Sequence, residues 1–501
     1  MPPLSITADA RFASSVRDAL RSPRLLTREI LAGLVVALAL IPEAIAFSII
    51  AGVDPRVGLF SSFVMAVAIS FLGGRPAMIS AATGAVALVI APVMRDHGLD
   101  YLLATVILGG VIQVALGLLG VAKLMRFIPR SVMVGFVNAL AILIFLSQLE
   151  QLVGVPWLVY PLVAAGLLIL WLFPKLTGAV PAPLVAIVLL TLVVVAFGIA
   201  VPTVGDQGAL PDSVPLPFLP DVPLTLETLG TIAPYALAMA VVGLLESLMT
   251  AKLVDDITDT RSSKTRESWG QGVANVLSGL FGGMGGCAMI GQTMINVKAS
   301  GARTRISTFL AGVFLLILVV VLGDLVAIIP MAALVAVMIM VSALTFDWHS
   351  IRPSTLRRMP RRETVVMVAT VALTVATHNL AIGVLVGAAV AALLFARRVA
   401  HFTTVERTVS ADGSEARYVV DGELFFASSN DLTTQFDYVA DPARVVIDMS
   451  RSHVWDASSV AALDAITTKY ERHGARVQIV GMNDVATAFH DRLSGGLGAE
   501  Q

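Results

Sequence analysis

The chain has 501 residues, 57% of them hydrophobic and only 14% charged, and its 34 basic and 35 acidic side chains leave a net charge of -1. An average soluble domain carries roughly 25% charged residues, so an ordinary soluble fold is excluded. The near-neutral total hides a strong segregation of charge by position, and no nucleic-acid partner is expected. A single cysteine, Cys287, rules out an intramolecular disulfide and a cysteine-rich metal site. It lies in a glycine run and reads as a small packing residue.

In chain order, residues 1–28 read as a cytosolic N-terminal segment bearing arginines, and the first apolar run continues as a full span instead of ending at a cleavage site. A transmembrane transport domain is expected over 29–400, with repeat 1 over about 29–200 and repeat 2 over about 232–398. Breakers divide it into fourteen apolar segments. Those of the first half cover 30–50, 58–72, 77–94, 101–120, 131–149, 158–174 and 182–200. Those of the second cover 232–252, 270–282, 287–298, 306–323, 325–346, 363–377 and 380–398. The ninth and tenth are too short to cross a ~30 Å hydrocarbon core as straight helices. Such shortness predicts broken helices sheltered inside protein.

Lysine and arginine accumulate on the cytoplasmic side of membrane proteins. With the N-terminus inside, the even-numbered segments end among Arg75, Lys123, Arg126, Arg130, Lys175, Lys252, Lys264, Arg303 and the run Arg352–Arg362, whereas only Arg56 and Arg95 fall on the other side. Fourteen crossings, with both termini cytoplasmic, satisfy this distribution. The connection 201–231 holds six prolines and four acidic residues but no basic one, as an external linker between repeats would. After His401 the pattern becomes α/β, with strands expected at 417–426, 444–449 and 477–480 and helices at 430–439, 458–472 and 484–492.

Two stretches of the membrane block echo each other. Phe71-Leu72-Gly73-Gly74 precedes Ala77-Met78-Ile79-Ser80, and Leu280-Phe281-Gly282-Gly283 precedes Ala288-Met289-Ile290-Gly291. An odd number of crossings separates them, so the second copy is inverted. Inverted repeats with short, glycine-interrupted segments at matching positions mark secondary transporters whose site lies between half-helices at the midplane. Two helix starts facing each other present N–H groups and partial positive charge to one point, which suits an anion. Ser80, Ala81, Ala82 and Thr83 on the third segment, and Gly291, Gln292 and Thr293 on the tenth, are the expected first-turn residues.

Acids inside the membrane are costly and mark cavities, partners or proton paths. Glu43, in Ile41-Pro42-Glu43-Ala44, and Glu246, in Leu244-Leu245-Glu246-Ser247, occupy the first segment of their respective halves. Either acid is suited to couple transport to protons, and Glu246 is the one expected to drive symport. Pro42 is expected to break its helix locally. There is no GxxxxGK[ST] loop, and the seven histidines show no ligand spacing, so neither ATP hydrolysis, a metal, a cofactor nor any enzyme activity is expected.

The run Ala32–Phe47 with Ala51-Gly52-Val53-Asp54-Pro55-Arg56, together with Gly270–Asn275 and Gln292–Thr304, resembles the signatures of SulP anion transporters. Val445–Ser450 and Asp456–Ser459 are similar to a STAS domain, placed at 410–495. The resemblance implies a polytopic α-helical membrane protein of fourteen spans in a 7+7 inverted repeat, with half-helices 3 and 10 and a cytosolic α/β STAS domain. It implies a homodimer that moves sulfate, bicarbonate, chloride or carboxylates by an elevator-like motion, with Phe47 joining Glu43 at the site. Many relatives have arginine where Gln292 stands, which weakens the case for a divalent substrate. No glycine follows Ser459, which argues against phosphoregulation, although a cytosolic partner of the STAS domain fits the fold. A nucleobase/proton symporter of the same architecture and a membrane-anchored STAS signalling protein are the competing readings.

Overall fold

The computed structural model describes residues 16–121, 123, 128–176, 181–400 and 403–494. The chain forms two compact units, divided after Ala388. In the first, α1 (Val16–Arg21), α2 (Pro23–Ala51), α3 (Pro55–Leu72), strand β1 (Ser80–Ala81), α4 (Gly84–His97) and α5 (Leu99–Leu118) are followed by α6 (Arg130–Glu150), α7 (Val159–Leu176) and α8 (Ala182–Phe197). The second half supplies α9 (Leu226–Thr258), α10 (Lys264–Leu280), β2 (Cys287–Ala288) and α11 (Ile290–Met294), which a π turn extends to Ala299. Then come α12 (Arg305–Val321), α13 (Gly323–Ala327), α14 (Met331–Thr345), α15 (Pro353–Arg358), α16 (Arg361–Thr377) and α17 (Leu380–Ala400), which runs on into the second unit.

Thirteen of the fourteen expected segments coincide with a helix or a strand-helix pair, and the twelfth, 325–346, is split between α13 and α14 at residues 328–330. Among the described residues, seven helices are long and apolar enough to cross a membrane, namely α2, α3, α5, α6, α7, α9 and α17. The helix contacts are preserved when the halves are exchanged. The α5–α10 pair corresponds to α12–α3, and α2–α12 corresponds to α9–α5, while α3–α10 maps onto itself. Close backbone approach makes this packing possible, as small residues do between membrane helices. A Cβ on Gly110 would lie 2.6 Å from the Gly272 carbonyl, and one on Gly272 would lie 2.6 Å from the Gly110 carbonyl.

Two helix bundles result. One contains α2–α5 and α9–α12, and the other α6–α8, α14 and α16; α2 touching α8 and α14, and α4 touching α6, form a thin seam between them. The expected external linker is strapped to one end of the unit: Arg56 N–H bonds Ala209 O, Phe218 N–H bonds Leu280 O, and Met331 N–H bonds Pro202 O. At the ends of α3 and α9 and the start of α12, basic residues are held in place. Arg75 and Lys264 both pair with Asp255, at 3.0 and 2.6 Å, and Arg305 donates to the carbonyls of Ser70 and Gly73.

Contrary to expectation, α2 runs unbroken through Pro42. Proline removes one helical donor, leaving the Leu38 carbonyl without its bond. The helix is buried along much of its length against α3 and α12, and that packing holds it together.

The second unit has a four-stranded sheet in the order β3 (Thr404–Val409), β4 (Ala416–Leu424), β5 (Arg444–Val454), β6 (Arg476–Val480), with β3–β4 antiparallel and the others parallel. Helices α18 (Phe426–Leu432), α19 (Ala457–Arg472) and α20 (Asp484–Leu493) complete it. Strand β3 was not foreseen because it is an exposed edge with no apolar alternation. The helix expected at 430–439 starts earlier, where the Ser428 and Ser429 hydroxyls bond the Phe425 carbonyl and Ser428 caps the Phe425 N–H. In the core, Tyr418 and Tyr470 both donate to the buried Asp441 at 2.5 Å. Burial pushes the Tyr470 hydroxyl well up and Tyr438 up to about 12. The Arg417 guanidinium, helped by Ser450, holds the Asp448 carboxyl down at about 2.

Candidate functional site

The two halves meet where β1 pairs antiparallel with β2, Ser80 opposite Ala288 and Ala81 opposite Cys287. Because α4 leaves β1 and α11 follows β2, this pairing brings the two helix starts together from opposite directions. The exchange that carries β1 onto β2 matches Ser80 with Cys287 and Gly84 with Gly291. The shared Ala-Met-Ile string is therefore displaced by four residues from the structural equivalence. In the first half it forms the approach to the strand, with Ala77 at φ +60, and in the second it spans the strand and helix start.

One helix, α10, carries both approaches. Glu267, Gln271, Asn275 and Ser278 are fully buried at spacings of four, four and three, which places them on a single face. Glu267 accepts the N–H groups of Gly74 and Arg75 at 2.7 and 3.0 Å and the Gln271 amide at 2.9 Å. Gln271 also donates to Ser80 Oγ at 2.6 Å. Asn275 bonds both the N–H and the carbonyl of Gly286, at 2.8 and 3.0 Å, and reaches Gln113 on α5. Ser278 accepts the Gly285 N–H at 3.2 Å and lies 3.0 Å from Ser61 on α3. Sequence reasoning missed the role of this stripe, although a polar residue at every helical turn between glycines is a readable signal.

Of the expected site residues, two hydroxyls are spent on the backbone and its supports. Ser80 is bonded to Gln271, and Thr293 Oγ1 accepts the Ile79 N–H at 3.0 Å. Ser80 and Ala81 are strand residues ahead of the first turn; Ala82 follows, with its N–H bonded to Ser62 on α3, and Thr83 is the N-cap of α4, accepting the Val86 N–H.

The remaining residues gather at the two helix starts. Gln292, in the first turn of α11, stands close to the carboxyl of Glu43, which is buried on α2. Gly291 is exposed, and a Cβ there would meet no atom within 4 Å, so an opening lies beside this pair. At the α4 start, a Cβ on Gly84 would come within 2.9 Å of the Phe47 ring and 3.1 Å of Ile144 on α6, which places Phe47 at the seam between the bundles. Glu246, buried on α9, accepts from Cys287 Sγ at 3.0 Å, and Cys287 lies 3.1 Å from Thr83 Oγ1. Cys287 is thus a link between an acid and a helix cap, beyond its expected packing role. Among the described residues no cluster suited to a metal ion is present.

The chain shares this architecture with known carriers. Its fold superposes on murine Slc26a9, an anion transporter in the inward-facing state, with a TM-score of 0.80 at 18% identity, covering 94% of this chain and 87% of that one. By sequence it is 52% identical to YbaR of Bacillus subtilis over 467 residues, 93% of this chain and 97% of that protein. It is 26% identical to the bicarbonate transporter BicA of Picosynechococcus sp. over 511 residues, 90% and 88% of the two chains. The STAS domain model matches residues 409–490. Matched by the Sulfate permease family model over residues 26–159 and 156–370, and carrying this paired-strand core, the chain belongs to the sulfate permease family of anion transporters and ends in a STAS domain.

Proposed function

We propose that the chain is a secondary active carrier that takes up a small inorganic anion or carboxylate together with protons. The reading rests chiefly on the convergence of the α4 and α11 starts across β1–β2, with a buried acid beside each. The first N–H groups of a helix have no acceptor within it, and the dipole adds positive potential, so such a point attracts an anion without a cationic side chain. Glu43, Phe47, Gly291 and Gln292 line the substrate position, with Ser80, Ala81, Ala82, Thr83 and Thr293 shaping its backbone. Glu246 exchanges the coupling proton, since a bare carboxylate in the membrane interior is costly.

The thin seam between the bundles supports an elevator-like step. The bundle of α2–α5 and α9–α12 carries the site and slides along the bundle of α6–α8, α14 and α16, which is the arm that would form a homodimer. The basic ends of the helices favour an inner-membrane orientation with both termini and the STAS domain in the cytoplasm.

Purified protein in liposomes tests this reading. Sulfate, bicarbonate, chloride, small carboxylates and nucleobases are offered with and without an inward proton gradient. Saturable uptake of at least one anion, increased by the gradient, is the expected result; uptake of a nucleobase alone would replace the proposal with the nucleobase carrier.

A further inference from the structure

The connection between α14 and α16 and the first turn of α16 carry five arginines, Arg352, Arg357, Arg358, Arg361 and Arg362, all exposed. Among the described residues, none of the five takes part in an ion pair. Basic residues collect on one side of any membrane protein, and several in this unit, Arg75, Arg303 and Arg305 among them, are used internally. The arginines here have no such employment. Helix α15 buries none of its residues, although the chain on either side is anchored: Asn138 on α6 bonds Ser350 Oγ at 2.9 Å and accepts the Asp347 N–H at 2.8 Å.

Two clefts open beside α15. One, of about 330 Å³, is lined by His349, Ser354, Thr355, Arg358 and Met359, and the other, of about 470 Å³, by Pro353, Leu356, Arg357, Met359 and Arg361. Next to them stand exposed apolar side chains, Leu344, Trp348 and Ile351. Tryptophan prefers the level of the lipid headgroups, and clustered arginines next to membrane helices attract anionic lipid. Apolar groups that enter the acyl boundary, a tryptophan at headgroup height and unpaired guanidinium groups around clefts of headgroup size form one graded surface. A soluble anion would need the guanidinium groups but not the apolar border.

We propose that the α14–α16 connection is a binding site for the phosphate headgroup of an anionic phospholipid, held by Arg357, Arg358 and Arg361 at the α15 clefts and flanked by Arg352 and Arg362. Because α14 and α16 belong to the bundle of α6–α8, a lipid bound here fastens that bundle to the leaflet surface.

The test uses the full-length protein, delipidated in neutral detergent and titrated with phosphatidylglycerol or phosphatidylcholine, with bound lipid counted by native mass spectrometry. The wild type is expected to prefer phosphatidylglycerol at least tenfold. Each arginine near such a surface contributes roughly a fivefold gain in binding, so R352Q/R357Q/R358Q/R361Q/R362Q removes the preference. Neutralising R451Q/R472Q/R476Q in the second unit leaves it intact. Should the quintuple variant fail to fold, R357Q/R358Q and R361Q/R362Q are each expected to weaken phosphatidylglycerol binding severalfold. The proposal is overturned by equal binding of the two lipids, by a preference that survives the substitutions, or by displacement of phosphatidylglycerol by millimolar inorganic phosphate, which would reveal a free-anion site.

Discussion

The starts of α4 and α11 issue from the same strand pair yet are finished differently. At α4, Thr83 caps the helix with its side chain, Gly84 is enclosed by Phe47 and Ile144, and the Thr83 hydroxyl continues through Cys287 to Glu246. At α11, the N-cap is Met289, which supplies no side-chain hydrogen bond, Gly291 faces open space, and Gln292 reaches Glu43. Backbone pseudosymmetry brings two positive helix ends together, and the side chains then make them unequal. One end is closed and joined to an acid through a thiol. The other is open, with its N–H groups uncovered by any cap. On the proposed reading this inequality gives the two acids different work, Glu43 with the ligand and Glu246 with the proton.

The largest effect is expected where the two ends are joined. A Cβ at Gly286 would lie 1.9 Å from the Ala81 carbonyl, across the β1–β2 pair. Overpacking against fixed backbone costs about 3 kcal/mol or more. Gly286→Ala should therefore yield little monodisperse protein in size-exclusion chromatography, and a normal elution profile with an unchanged melting temperature would show that the halves do not depend on this closure.

Next in size is Glu246→Gln. For one proton per anion, a gradient of one pH unit supports about tenfold accumulation, equal to 1.36 kcal/mol. The variant should lose this accumulation entirely while keeping its melting temperature, because the amide still accepts from Cys287. Accumulation at the wild-type level in proteoliposomes would remove Glu246 from coupling. A smaller change is expected at the open end. Gln292→Ala removes the polar side chain beside Glu43, a contact worth about 1 kcal/mol, and should raise KM roughly fivefold. Combining it with Glu43→Gln should give less than the sum of the two effects, as residues in contact do. Additive KM changes would mean that the pair does not act together.

Much of this asymmetry was hidden in the sequence, although the scaffold was legible. Apolar runs and glycine breakers located most long helices of the first unit, though they merged α13 with α14, because lipid leaves backbone groups to be satisfied within each segment and makes the hydrophobic pattern strong. Glu43 and Glu246 stood out because acids are rare there. The matching Ala-Met-Ile strings located the half-helices but gave the wrong register between them, since register at β1–β2 is set by three-dimensional approach and not by local composition. Cys287 looks like a small filler until the fold places Glu246 behind it, and Thr83, expected in the first turn, proves to be the N-cap linked to them. In the second unit, edge strand β3 has no buried face to impose a pattern, and the early start of α18 depends on serine hydroxyls that favour turns as readily as helix starts.

The smallest expected effect falls on Gly291 and isolates the open end from the closed one. Alanine there meets no neighbouring atom, and alanine is the better helix former by up to about 1 kcal/mol, so Gly291→Ala should leave the melting temperature unchanged or slightly raised. Its methyl group would nevertheless stand in the space beside Gln292 where the anion is proposed to sit. KM should therefore rise more for the bulkiest transported anion than for the smallest, with the kcat values close to wild type. A uniform change across anions would place the substrate elsewhere. A stability loss as large as that of Gly286→Ala would mean that the α11 start is packed, and the difference between the two helix starts would then vanish.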